Sequence, residues 1–252
     1  MSDDVQITEG SGWIEIIIDR PDRKNALTAA MYQSITAALR SADARPEIGA
    51  VLIAGRGDAF CAGNDLNDFM KGPAGVESAL GFIDALVAFG KPIVVAVQGV
   101  AVGIGVTMLF HCDLIYAAPD ARFIMPFVNL GLLPEAGSSL LAPAVLGPAK
   151  AAAMLLLGEP IGAEEADRAG LITAIVPTIE LLDHARSKTA ALVAQPPEAM
   201  LATRRLLRGE RPALADRIAE EGRLFRGALG SAEAKEAFTA FFEKRPPVFR
   251  RS

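Results

Sequence analysis

Glu135 is the only carboxylate between Asp120 and Glu159, and it sits in the apolar, glycine-bearing run Leu130-Gly-Leu-Leu-Pro-Glu-Ala-Gly-Ser-Ser139. A lone acid in such surroundings has the chemistry of a single general base. Desolvation disfavours its charged form and raises its pKa toward working pH, where it can both take and return a proton. The same residue, just after Pro134, also fits a helix-start acid that complements the positive end of a helix. Position alone leaves both readings open.

Thiols and imidazoles offer less. Cys61 and Cys112 lie in apolar contexts without CxxC spacing, and read as buried thiols of a reducing compartment. A Cys/His nucleophile pair with His111 or His184 lacks an orienting constellation, and no metal-ligand spacing appears. Two glycine-bearing turns are more informative: Phe60-Cys-Ala-Gly-Asn-Asp-Leu66, and Gln98-Gly-Val-Ala-Val-Gly-Ile-Gly105. Glycine lets the backbone turn sharply and lets a ligand approach its N–H groups. One N–H from each turn could meet on a single oxygen and stabilise charge developing there. Either turn alone is more often structural. A dinucleotide fingerprint fails: from Gly103 the run is Gly-Ile-Gly-Val-Thr-Met, without the third glycine, and no phosphate-loop motif occurs.

These residues need elements to hold them. β-rich runs recur at Trp13–Asp19, Ala50–Ala54, Ile93–Val97, Leu114–Ala118 and Leu171–Val176. Helix-period segments lie between them, at Thr28–Ala42 with Thr28 as N-cap and at Val76–Phe89. Strands alternating with helices predict an α/β protein with a largely covered sheet. Beyond Pro177 only helices are predicted, broken at Pro196-Pro197, Gly209–Pro212 and Gly227–Gly230. We therefore divide the chain into a core, residues 1–195, and a helical association or lid region, residues 196–252. In that region Arg204, Arg205, Arg208 and Arg211 form either a solvated face or part of an anion site.

Composition narrows the function classes. The 252 residues are 51% hydrophobic and 22% charged, with a net charge of -5. Such a chain builds a large core, and its acidic balance argues against nucleic acid or an anionic membrane as partner. The apolar stretch from Ile93 to Phe110 approaches membrane-spanning length, but Gln98 and three glycines interrupt it. Met1-Ser-Asp-Asp-Val is no secretory start, so a cytoplasmic protein is expected.

Taken in order, five motifs resemble the crotonase, or enoyl-CoA hydratase/isomerase, superfamily: Arg20-Pro-Asp-Arg-Lys-Asn-Ala-Leu27, Phe60–Leu66, Lys91-Pro-Ile-Val-Val-Ala-Val-Gln-Gly99, Cys112-Asp-Leu-Ile-Tyr116 and Leu130–Glu135. The match spans roughly residues 13–176. The resemblance implies a spiral of ββα units, a C-terminal helical region that supports a homotrimer or hexamer, and an acyl-CoA thioester substrate. It implies no separate cofactor, CoA being part of the substrate. The shared chemistry is stabilisation of a thioester enolate by two main-chain amides, which here fall on Asn64 and Ile104.

The same resemblance puts CoA-binding cations at Arg20, Arg23 and Lys24, with Lys244 and Arg245 as additions from the tail. It puts Ala62 and Gly103 beside the two amides, and adenine against the backbone of Asp65 and Leu66. Phe69 and Met70 either line an acyl channel or simply pack. Phe127 and Leu133, with Leu132, would exclude water from Glu135 or belong to the core.

Departures from the family are as telling. Its hydratases use two glutamates, and the corresponding positions here are Thr107 and Phe127, neither of which transfers a proton as a carboxylate does. Adding water to a double bond needs one group to activate the water and another to deliver a proton. Moving a double bond from position 3 to position 2 needs only one base between C2 and C4. The run around Glu135 looks like the Δ3,Δ2-enoyl-CoA isomerases of fatty-acid β-oxidation, which makes Glu135 that base. Other crotonase reactions (hydration, decarboxylation, hydrolysis), a non-catalytic acyl-CoA binder or scaffold, and a structural helical-tail assembly protein that binds no CoA ester are the alternatives.

Overall fold

The computed structural model describes residues 2–70, 73–209 and 212–249. In chain order these form β1 (Val5–Glu9), β2 (Trp13–Ile18), α1 (Ala29–Ala44), β3 (Ala50–Gly55), α2 (Leu66–Phe69), α3 (Pro73–Ala88), β4 (Ile93–Val97), β5 (Val100–Val102), α4 (Ile104–Thr107), β6 (Leu114–Ala117), β7 (Arg122–Ile124), α5 (Ser138–Leu146), α6 (Pro148–Ala152), β8 (Ile161–Gly162), α7 (Ala163–Ala169), β9 (Ala174–Ile175) and four helices, α8 (Leu181–Val193), α9 (Pro197–Arg208), α10 (Pro212–Leu229) and α11 (Ala232–Phe242). A six-stranded sheet runs β1-β2-β3-β4-β6-β9, with only the β1–β2 pair antiparallel. A smaller sheet, β5-β7-β8, stands beside it.

The apolar runs are continuous because both faces of the large sheet are covered. Successive strand side chains alternate between faces. Ile16, Val51, Ile53, Ile93 and Val95 join the cluster that contains α1 and α3, while Ile17, Leu52, Val94 and Ala96 join a second cluster with Leu181 and Ala185 of α8. Each of the valine, leucine and isoleucine side chains, fully buried, contributes about 1.5–3 kcal/mol. Helix α1 starts at its expected cap, where the Thr28 hydroxyl accepts from Met31 N–H. It buries Met31, Tyr32, Ile35, Ala38, Leu39 and Ala42, a stripe at helical spacing.

Several expectations are trimmed. The strand predicted at Leu171–Val176 is two residues long, because Gly170 ends α7 in a left-handed conformation and Leu171 N–H still bonds back to Ala166. Gly227 lies inside α10, and the break falls at Gly230, before Ser231 caps α11. Arg211 lies outside the described residues. From the tail, Phe225, Ala234 and Phe238 belong to the main cluster. The long apolar stretch divides into β4, β5, α4 and a short 3-10 turn, and among the described residues no helix is long and apolar enough to cross a membrane.

Candidate active site

The two glycine turns lie side by side. Cys61 N–H bonds Val100 O at 3.1 Å and Val102 N–H bonds Cys61 O at 2.8 Å, so the first turn runs parallel to β5 like an extra strand. On its other side, Leu27 N–H bonds Gly63 O and Asp65 N–H bonds Leu27 O. Successive amides of an extended segment point opposite ways, so Asn64 N–H faces away from Leu27. Gly63 has φ 89°, and a Cβ there would stand 3.1 Å from Val102 O, so the close approach of the turns requires glycine.

The second turn ends in a helix start. Gly103, at φ 54°, is the N-cap of α4, held to β7 by its own N–H on Ile124 O and accepting from Val106 and Thr107. Ile104 is therefore the first residue of a helix, and its amide is one of the donors that a helix leaves without an intrahelical partner. Gly63, Asn64, Val102 and Gly103 all border one cavity of about 510 Å³.

Glu135 is 4% exposed. Thr107, one turn into α4, donates its hydroxyl to Glu135 Oε1 at 3.4 Å. Burial pushes the carboxyl up to about 8, against the pull of the Thr107 hydrogen bond and with a further push from the Glu221 carboxylate. Tyr32 and Cys61 are raised by their own burial and then by the charge of Glu135. Tyr32 also donates its hydroxyl to the Asn64 side chain, so the surroundings of the acid reach both turns. The helix-start reading does not hold, because α5 begins only at Ser138 and the acid at its start is Glu221, which accepts from Gly137 N–H at 2.6 Å and Ser139 N–H at 2.9 Å.

Glu135 borders a small enclosed pocket with Leu80, Ile83, Ile218 and Phe225. That pocket shares Phe69 and Phe225 with the 510 Å³ cavity, and the two rings stand edge to face with centroids 6.1 Å apart. A third cavity of about 580 Å³ lies across Phe69 and takes Met70, Leu229 and Phe238 into its wall.

Of the residues expected to bind substrate, Arg23, Lys24, Ala62, Asp65, Leu66, Phe69, Gly103 and Phe127 line the 510 Å³ cavity. Leu133 does not. Leu130 and Leu132 line it instead, because Leu132 N–H bonds back to Phe127 O after the left-handed Gly131 and joins Phe127 on the cavity side. Arg20 is committed elsewhere: its guanidinium bonds the Asp65 carboxylate at 2.7 Å and Ala26 O at 2.9 Å. Burial works to raise Asp65, but Arg20 and the N–H of Asp68 outweigh it and hold the carboxyl low. Arg245 is likewise tied to Glu236 and Glu243. Both cysteine thiols are pushed up by burial, His111 bonds Ala136 O at 2.7 Å, and His184 stacks on Tyr116. No Cys/His nucleophile pair is assembled among the described residues.

Sequence reasoning missed Tyr32, Glu221, Phe225, Phe241 and Phe242, and considered His111 only as a nucleophile's partner. Phe225, Phe241 and Phe242 come from the helical tail and line the 510 Å³ cavity. One signal was present: Leu214, Ile218, Glu221, Gly222 and Phe225 fall on one face of a helix, so Glu221 sits in an apolar stripe where an unpaired acid would be costly.

The family described as Enoyl-CoA hydratase/isomerase matches residues 8–252. A Rhodobacter capsulatus protein named "Probable enoyl-CoA hydratase" is 39% identical over 97% of this chain and 96% of its own length. "Enoyl-CoA delta isomerase 2" of Rattus norvegicus is 37% identical over 97% of this chain, which spans 64% of that protein. The crystal structure of an enoyl-CoA hydratase/isomerase from Pseudoalteromonas atlantica superposes with a TM-score of 0.94 at 38% identity, covering 98% of this chain and 100% of that one.

Proposed function

The chain belongs to the enoyl-CoA hydratase/isomerase, or crotonase, family of acyl-CoA enzymes, and within it we propose a Δ3,Δ2-enoyl-CoA isomerase that uses Glu135 as its only base. The observation that carries this reading is a buried acid, Glu135, that accepts from the Thr107 hydroxyl of α4; the resemblance puts that hydroxyl and the Phe127 ring where the family's hydratases have glutamates. Hydration would need a second proton-transferring group, and among the described residues Glu135 is the only carboxylate bordering its pocket.

The thioester oxygen accepts from the amides of Asn64 and Ile104. Their fixed dipoles stabilise the enolate oxygen and so acidify C2; losing one such donor costs about 10²–10³-fold in rate. Glu135 takes the C2 proton, the electron pair spreads into a dienolate, and the same carboxyl returns a proton at C4, leaving the double bond between C2 and C3. Apolar walls keep water from the intermediate, and a carboxyl near 8 matches the proton affinity needed to give as well as take. The acyl end lies against Phe69 and Phe225, which border both the 510 Å³ cavity and the Glu135 pocket, while Arg23 and Lys24 on the cavity wall supply positive charge for the CoA phosphates.

We propose in addition a homotrimer or hexamer that acts in fatty-acid β-oxidation in the cytoplasm. The adjacent exposed pairs Leu156–Leu157 and Leu206–Leu207 offer apolar surface for such an association. The decisive experiment follows deuterium at C2 and C4 of a 3-enoyl-CoA, with wild type and Glu135→Gln side by side. Isomerisation with exchange, abolished in the variant, is expected. Hydroxyacyl product from a 2-enoyl-CoA, or turnover by the variant, would reject the assignment.

A further inference from the structure

The segment that carries Glu135 is not self-supporting. Ala136 and Gly137 are consecutive left-handed residues, at φ 57° and 73°, and the first has a side chain that disfavours this conformation. Helix α5 then begins on a glycine, which has no side chain to cap it. The missing cap comes from 84 residues away: Glu221, 4% exposed on α10, spans the helix start with one oxygen on Gly137 N–H and the other on Ser139 N–H. The rest of that face of α10 closes on the same turn. A Cβ on Gly137 would run into Leu214 and Ile218, and Ile218, Gly222 and Phe225 border the Glu135 pocket. On the opposite side His111 bonds Ala136 O.

We propose that Glu221 is a positioning residue for the base: it clamps the amides of Gly137 and Ser139, two and four residues after Glu135, and thereby aims its carboxyl, making the C-terminal helical region part of the catalytic machinery. This rests on the reading of Glu135 as the base. Glu221 also acts through its charge, which adds to the effect of burial in raising Glu135. The other polar and titratable groups around the pair are Thr107 on α4, Tyr32 on α1, Cys61 in the first turn, His111 on Ala136 O, and Arg217, which bonds Ser139 Oγ at 3.0 Å and pairs with Glu220.

The test compares Glu221→Gln, Glu221→Asp and Glu135→Gln for isomerisation of a 3-enoyl-CoA, with a saturated acyl-CoA as the affinity probe. The amide of Glu221→Gln accepts from only one of the two N–H groups and carries no charge. Its kcat is expected to fall about tenfold to a hundredfold with near-native acyl-CoA affinity, and the rise of kcat/KM with pH to move to lower pH. Glu221→Asp keeps the charge but not the reach, so kcat falls while the pH profile stays in place. An inactive Glu135→Gln beside a Glu221→Gln of wild-type rate and profile overturns the positioning role. So does a loss confined to acyl-CoA affinity. An active Glu135→Gln instead overturns the base itself. Wild-type amide exchange guards against variants that do not fold: protection of Gly137 and Ser139 like that of the α5 interior is expected, and exchange at the rate of an open turn refutes the clamp.

Discussion

Replacing Glu135 by glutamine should change how stability depends on pH, independently of any substrate. An ordinary glutamate titrates at 4.5, and burial moves this one to about 8. Below the lower value both folded and unfolded chains hold the proton, and the folded state has its full stability. As pH rises the unfolded chain releases the proton first, so the folded state binds more protons and stability falls until pH passes about 8. At 1.36 kcal/mol per pH unit, the interval corresponds to about 5 kcal/mol, a large fraction of the ~5–15 kcal/mol that holds a typical domain together. Local opening that admits water makes this an upper bound. Glutamine has the same shape and no proton to lose. Chemical denaturation of both proteins across this range should show wild type losing stability relative to Glu135→Gln as pH rises, by several kcal/mol end to end. Subtracting the two curves cancels the other titrating groups. Parallel curves would mean that the carboxyl is already solvated in the folded protein, and the desolvation argument for Glu135 would fall with them.

Four further outcomes are expected. In steady-state kinetics, kcat/KM for a 3-enoyl-CoA rises with pH and levels off above about 8, since the free enzyme must present the ionised base; a profile flat through that range refutes this. Glu135→Gln lowers kcat by about 10²–10⁴-fold, while calorimetric affinity for a saturated acyl-CoA stays near wild type. Thr107→Ala removes a hydrogen bond that lowers the Glu135 pKa, so the rise moves to higher pH with a plateau within about tenfold of wild type; a collapse of the plateau would give the hydroxyl a direct chemical role. Gly63→Ala places a methyl against Val102 O at a φ of 89°, costing about 1–2 kcal/mol in denaturation. It also displaces the Asn64 amide, with a loss in kcat of about 10²–10³-fold; unchanged kcat would remove Asn64 from the oxygen-binding pair.

What the sequence determined by itself was local. Continuous Val/Ile runs gave the strands at 50–55 and 93–97, because a strand covered on both faces needs apolar side chains at every position. Thr28 marked the start of α1, and the glycines at 63 and 103 marked backbone that only glycine adopts easily. The solitary Glu135 stood out because nothing near it in the chain shares its charge. The short strands at 100–102, 122–124 and 161–162 were less legible, since two or three residues carry too little periodicity and are held by pairing partners far away in the chain. Only the tertiary structure decided that Arg20 serves Asp65, that Leu132 and not Leu133 faces the cavity, and that the tail supplies Phe225, Phe241 and Glu221. A buried acid eighty-odd residues from the amides it caps leaves no local trace, because its cost is offset by partners that meet it only after the chain has folded.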